Sequence, residues 1–244
     1  MAGREANVGS ATGAQPPLRH LLRALRVVLT VVAIAALISV FVERVYEIPS
    51  GSMESTLHGC SGCDNDRVLV DKVTYRFSEP VRGDVVVFAR PASWTNTELQ
   101  LAPEPGNPVA AGLGKLVSLL GVQPAGETDM VKRVIAVSGQ TVACCDSRNR
   151  VTVDGRPLDE SYVYYAPELG VARQAPFEAV RVPDGQLWLM GDSRNDSLDS
   201  RAAGNGPVPV TDVIGKARLV VAPLARFGGI AGPDSRVSAS RVTR

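Results

Sequence analysis

RVTVDG, residues 150–155, is the stretch that sets the architecture of this chain. Val151, Thr152 and Val153 are β-branched and suit an extended, pleated backbone. Asp154-Gly155 follows at once, and that pair readily takes the left-handed backbone of a two-residue turn. It is the strongest short hairpin signal a sequence offers, and a hairpin means antiparallel pairing. Similar runs recur on both sides. Upstream, residues 130–137 read MVKRVIAV and close at Ser138-Gly139, residues 84–89 read DVVVFA after the PVRG turn at 80–83, and residues 67–74 read RVLVDKVT. Downstream lie QLWLM at 186–190 and VIGKARLVV at 213–221. Short strands with Gly and Pro punctuation, and no helices alternating with them, predict a mostly β chain with an antiparallel, sheet or barrel-like domain.

Two segments interrupt the pattern, and no internal repeat is present. Residues 91–129 open on PASWTNTELQLAPEPGNP and continue into a Gly-interrupted stretch, 109–120, that fits a short helix; the block reads as an insertion between two strands. Residues 226–244 are rich in Gly, Ser and Arg and read as a flexible tail.

The N-terminus carries the strongest compositional signal. Residues 27–42, VVLTVVAIAALISVFV, form a run of sixteen without a charge, extended backwards by Leu21, Leu22, Ala24 and Leu25. A spanning helix needs about 20 mostly apolar residues, and flanking arginines can snorkel to make up a small deficit. Arg4, Arg19, Arg23 and Arg26 precede or enter the run, while Glu43, Arg44 and Glu47 follow it. The positive-inside rule then predicts a cytoplasmic tail at 1–20, a transmembrane anchor at 21–43 and an extracytoplasmic domain at 44–225. A cleaved secretory signal is the alternative. No small-x-small site follows the apolar run, where Glu43-Arg44-Val45-Tyr46-Glu47 is bulky and charged, so an uncleaved anchor is expected. A second span within 219–230 is not expected, because that stretch is short and holds Pro223 and Arg226.

Charge is nearly balanced, 26 Lys+Arg against 25 Asp+Glu, which gives no sign of a nucleic-acid partner. The four cysteines, Cys60, Cys63, Cys144 and Cys145, all fall on the predicted outer side. An even number there reads as disulfides, with three connectivities open. Zinc is the alternative, but adjacent Cys144-Cys145 make poor tetrahedral ligands, and no metal or cofactor is expected.

IPSGSMESTL, residues 48–57, sets Ser52 between Gly51 and Met53 in a turn-like context. As a nucleophile, Ser52 needs a base. The chain has two histidines: His20 precedes the apolar run, and His58 follows Ser52 so closely that only a tight reversal would bring them together. Lysine is the other choice, since Ser–Lys pairs replace the Ser-His-Asp triad in some hydrolases. An ordinary lysine is almost wholly protonated at neutral pH, and burial disfavours the ammonium. The useful lysine should therefore sit on an apolar face. Of the four lysines, Lys132 alone would share a strand face with Met130, Val134 and Ala136; Lys216 shares its face with Arg218, Lys72 with Thr74, and Lys115 lies in the insertion. A snorkelling edge-strand lysine is the plain alternative. Arg133 cannot act as the base, because guanidinium keeps its proton.

Four segments, IPSGSMESTL at 48–57, RGDVVVF at 82–88, VKRVI at 131–135 and MGDSRNDSLDSR at 190–201, resemble the boxes of the type I signal peptidases (leader peptidases), in the family's order and behind an N-terminal anchor. The likeness runs from the anchor to about Val221, apart from 91–129. It implies Ser52 as nucleophile, Lys132 as general base, and an oxyanion hole from the Ser50 hydroxyl and the Ser52 N–H. It further implies that Ser197 orients the Lys132 amine, that Asp199 and Arg201 form a supporting ion pair with a contribution from Asp192, and that Met53 lines the site. Glu54-Ser55 stand where the family often has Pro. Ser193 and Asn195-Asp196 depart from the common Gly-Asp-Asn-Arg-Asp-Asn-Ser pattern. The Gly59-to-Cys63 stretch resembles forms from high-GC Gram-positive bacteria, as does the preference for Arg over Lys.

The implied activity is a membrane-anchored serine endopeptidase that removes signal peptides from secretory precursors, cutting after small residues, with lipid against its apolar surface. The alternative is a catalytically silent anchored β domain that binds a surface partner. A self-cleaving Ser–Lys protein of the repressor type conflicts with the anchor. An acidic calcium loop at 191–201 fails because Leu198 stands where an EF-hand requires Gly. Asn195-Asp196-Ser197 matches a glycosylation acceptor by coincidence.

Overall fold

The structure is a computed structural model and describes residues 20–31, 43–94, 122–124, 129–230 and 232. Residues 20–31 are helical. Among the described residues no helix is long and apolar enough to cross a membrane. Most of the uncharged run, residues 32–42, lies outside them, as do the expected cytoplasmic tail before residue 20, the expected helix at 109–120 and the C-terminal residues from 233.

Among the described residues thirteen strands follow in order: β1 Glu43–Glu47, β2 Arg67–Asp71, β3 Val85–Ala89, β4 Val122–Pro124, β5 Asp129–Val137, β6 Thr141–Cys144, β7 Val151–Val153, β8 Arg156–Pro157, β9 Phe177–Arg181, β10 Gln186–Met190, β11 Val208–Pro209, β12 Val213–Ala222 and β13 Gly228–Gly229. A nine-stranded sheet runs β11-β10-β5-β3-β12-β2-β1-β4 with β13 on β12, and a four-stranded sheet runs β8-β7-β6-β9. Pairing is antiparallel except between β1 and β4. The Asp154-Gly155 turn joins β7 to β8 as expected, with φ of 53° and 74° at its two residues. Glu43, placed by the sequence at the end of the anchor, opens β1 instead. Gly228–Gly229, in the segment read as a loose tail, pairs with Leu219 and Val220, so the sheet continues past residue 226.

β3 explains how the core is divided. Its continuous VVVF run is buried on both faces, as a central strand requires. Val85 and Val87 join Tyr46, Ile48, Met53, Leu57, Val68 and Val70 on one side, while Val86 and Phe88 join Trp94, Val134, Leu187 and Leu189 on the other. A third cluster, with Ile135, Val142, Val151 and Trp188, fills the space between the two sheets. β5 follows β3 in antiparallel register and places Lys132 opposite Val86 and Arg133 opposite Val85. Partners across an antiparallel pair point the same way, so Lys132 and Arg133 face opposite sides of the sheet. Met130 and Val134 border the Val86 cluster, as the strand reading predicts. Ala136 does not: a register shift against β10 falls between Val134 and Ala136, and Ala136 joins the third cluster.

The cysteines pair locally, Cys60 with Cys63 and Cys144 with Cys145, which leaves no free cysteine among the described residues.

Candidate active site

The nucleophile candidate sits in a single 3₁₀ turn, Gly51–Met53, entered from β1 through Ile48, Pro49 and Ser50. Gly59 presses this entry into place. A Cβ on Gly59 would lie 2.2 Å from the Ile48 carbonyl oxygen and 2.9 Å from the Ser50 nitrogen, so only glycine fits. The Asp66 carbonyl accepts the Ile48 N–H at 2.9 Å, and the Asp66 carboxylate accepts the His58 N–H at 2.8 Å. Met53 and Leu57 anchor the turn by burying their side chains in the core cluster of Ile48.

Lys132 Nζ donates to Ser52 Oγ at 2.6 Å across 80 residues of sequence, and the two residues are 2 % and 3 % exposed. Ser50 Oγ lies 3.1 Å from Ser52 Oγ. Ser52 is the second residue of its turn, where N–H groups have no partner inside the helix. The two histidine alternatives end differently. His58 pairs with Glu54, four residues before it, and His20 belongs to the N-terminal helical segment. Among the other lysines, Lys216 forms an ion pair with Asp84.

The loop at 191–201 closes the site from the side of β10. The Ser193 N–H donates to the Ser52 carbonyl at 3.1 Å. Gly191 makes that approach geometrically feasible: a Cβ there would lie 2.3 Å from Ser197 Oγ and 2.5 Å from the Ser52 carbonyl oxygen. Ser197 Oγ donates to Asp199 Oδ2 at 2.8 Å. Arg201 grips the same carboxylate with two bonds, Nε to Oδ1 at 2.8 Å and Nη2 to Oδ2 at 2.7 Å. Complete burial pushes the Asp199 carboxyl up, but Arg201, the Gly191 N–H and the nearby Lys132 charge outweigh it and hold Asp199 below the usual carboxylate range.

Arg133, set aside at the sequence level as unable to act as a base, is the hub on the other face. Its guanidinium is fully buried and holds Asp192 through Nε at 2.8 Å and Nη2 at 2.6 Å. It also donates to the Gly83 carbonyl at 2.9 Å and to Thr56 Oγ1 at 3.2 Å, and stacks 3.9 Å from the Tyr162 ring centre. Thr56 Oγ1 donates onward to Asp192 Oδ2 at 2.6 Å. One side chain thus ties together the four separated segments that the resemblance picked out. Asp192 was singled out only as a contributor, and Thr56 and Tyr162 not at all. The signal available was a second basic residue in an otherwise apolar strand, since a cation there must find a buried partner.

Chemically, a buried amine within hydrogen-bond distance of a serine hydroxyl, with a second hydroxyl alongside, can carry the proton transfer that a Ser–Lys pair requires. Residues 21–222 match the profile of the family described as Signal peptidase, peptidase S26. The chain is 45 % identical to a protein named probable signal peptidase I from Mycobacterium leprae, over 80 % of this chain and 74 % of that one. It is 43 % identical to signal peptidase I of Mycobacterium tuberculosis, over 88 % and 77 % of the two chains. A probable signal peptidase I-1 from Synechocystis is 32 % identical, over 87 % and 88 %.

Proposed function

Because the chain belongs to the peptidase S26 family of signal peptidases, we propose that it is a membrane-anchored endopeptidase whose Ser52 and Lys132 remove signal peptides from secreted precursors. Membership makes it a hydrolase of the serine-protease kind acting on precursor proteins that carry signal peptides. The observation that carries the dyad is the 2.6 Å contact between Lys132 Nζ and Ser52 Oγ, with both residues almost fully buried.

Burial strips the water that would stabilise the ammonium and favours the neutral amine. In that state the Ser52 hydroxyl donates to Nζ and gives up its proton as Oγ attacks the scissile carbonyl. The Ser50 hydroxyl and the Ser52 N–H receive the negative oxygen, at the moment when such donors contribute most. Collapse expels the new amino terminus, protonated by the Lys132 ammonium, and leaves an acyl group on Ser52. Water activated by Lys132 then releases it. Ser197, fixed through Asp199 and Arg201, orients the amine, and Met53, next to the nucleophile, backs the site from the core cluster. No metal or cofactor takes part.

In this reading residues 1–20 lie in the cytoplasm, the apolar run from 21 to 42 crosses the bilayer, and the β domain that opens at Glu43 and closes with Gly228–Gly229 lies outside, with the segment after residue 91 as an insertion. The ten residues from Val42 to Ser52 span at most about 35 Å, which keeps the nucleophile at the outer leaflet, where the cleavage site of a precursor emerges. Leu224 and Phe227 are exposed beside Arg226, whose charge feels Glu54 of the nucleophile loop, and they offer apolar surface for lipid on that side.

The test is cleavage of a precursor peptide by the purified full-length protein. Ser52→Ala and Lys132→Ala should each abolish turnover while leaving thermal unfolding unchanged. Full activity in either variant would remove the dyad.

A further inference from the structure

One carboxylate beside the dyad has no ion-pair partner among the described residues. In the 191–201 loop the family pattern Asp-Asn is reversed to Asn195-Asp196, and the geometry explains the exchange. The Asn195 side chain meets the Ala166 backbone in both directions, accepting its N–H at 2.8 Å and donating to its carbonyl at 2.9 Å. An amide carries both a donor and an acceptor whereas an ionised carboxylate only accepts, so an aspartate at 195 would forfeit one bond. The acid stands one position later and points at the site. The Asp196 N–H closes a turn on the Ser193 carbonyl at 3.2 Å, and the Ser193 N–H in turn holds the Ser52 carbonyl. Asp196 Oδ2 lies 3.2 Å from the place a Cβ on Gly51 would occupy, directly before the nucleophile. Among the described residues no hydrogen bond or salt bridge reaches this carboxylate.

We infer that Asp196 is a positioning residue for the proton on Lys132: its unpaired carboxylate stabilises the ammonium that forms when Lys132 takes the Ser52 proton. This rests on the proposed dyad and goes beyond it. The stabilisation is that of an acid behind the base of a triad, delivered through space. The surrounding charges single out Asp196. Asp199 also acts on Lys132, but Arg201 neutralises it through two bonds. On the nucleophile loop, Glu54 is engaged by His58. Arg133, the next residue of β5, faces away and is paired with Asp192. Val86, opposite Lys132 on β3, is apolar. Glu168 acts on Asp196 by repulsion. Consistently, burial and then Glu168 push the Asp196 carboxyl up, while the Lys132 charge pulls it down. An interaction in which the ammonium favours the carboxylate must, reciprocally, favour the ammonium.

The test is the pH dependence of kcat/KM for a precursor peptide, measured on full-length wild type, Asp196→Asn and Asp196→Glu, with Lys132→Ala in the same assay. A carboxylate beside an amine raises the amine's pKa. Removing the charge should therefore move the acid limb to lower pH, by about one unit, and lower the rate above the limb because the base is weaker. Asp196→Glu, which keeps the charge, should hold the limb at the wild-type position. An unmoved limb in Asp196→Asn, or an equal shift in the Asn and Glu variants, overturns the inference, whatever happens to the maximum rate. Should Asp196→Asn fail to fold, Asp196→Ser supplies the same comparison. Activity in Lys132→Ala would refute the dyad itself, so the two failures are told apart.

Discussion

At the scale of single residues, the site depends on side chains whose value comes from where the fold holds them. Ser50 is the clearest case. Its hydroxyl lies 3.1 Å from Ser52 Oγ, where an oxygen developing negative charge would need a donor. Ser50→Ala leaves the Ser52–Lys132 contact in place and removes that donor alone. The expected outcome is a fall in kcat of about 10²–10³ with KM little changed, the cost of losing one oxyanion donor. Steady-state kinetics on a precursor peptide separate the two parameters. A fall confined to KM would place Ser50 in substrate binding instead. His58 shows the opposite lesson. It is the histidine closest to the nucleophile along the chain, yet its ring is committed to Glu54, so sequence proximity misleads.

At the scale of elements, β5 works as a two-sided strand. Lys132 serves one face and Arg133 the other, and the buried Arg133–Asp192 pair clamps the 191–201 loop to β5, to the Gly83 turn and to Thr56. Removing one member of a fully buried pair strands the other charge and costs about 3–5 kcal/mol. Asp192→Asn should therefore lower the urea midpoint sharply. Asp192→Leu combined with Arg133→Met should cost less than the two single changes added together, because neither charge is left behind. Additive losses would mean that the two residues act separately. The strands differed in how plainly the sequence announced them. Gln186–Met190 matches its sequence bounds, and Val213–Ala222 extends them by one residue, because apolar runs between turn residues leave little choice. Phe177–Arg181 was not anticipated, since its residues are mostly exposed or half-buried and show no alternation. Thr141–Cys144 escaped for want of length. Glu43–Glu47 carries three charges in five residues and follows the apolar run directly, so its strand character depends on pairing with β2.

At the scale of the whole molecule, stability in acid should follow the carboxylates that tie distant strands together. Asp71, at the end of β2, accepts bonds from Val73, Thr74 and Arg218 of β12. Burial pushes its carboxyl up, but these bonds prevail and bring it from its ordinary 3.8 down to about 2. A carboxyl whose folded pKa lies below its unfolded one adds stability that is complete above the unfolded value and is lost as pH falls through the folded one. Full-length protein in detergent should therefore lose stability as pH falls from 3.8 towards 2, and Asp71→Asn should flatten that part of the curve. Urea midpoints across the range check it, and an unchanged slope in the variant would assign the loss elsewhere. The same long-range ties account for the division between what was legible and what was not. By itself the sequence determined that the chain is built from short antiparallel strands, that Ser52 and Lys132 are the residues to test, and which family it joins. Those follow from local rules, such as the period of a strand, the chemistry of a turn residue and the order of short motifs. Only the tertiary structure decided that Lys132 meets Ser52, that Arg133 gathers four separate segments, that the cysteines pair locally and that Asp196 faces the nucleophile. Each of those depends on strand order and register, which no local stretch encodes, because a contact between residues eighty positions apart exists only once the sheet has closed.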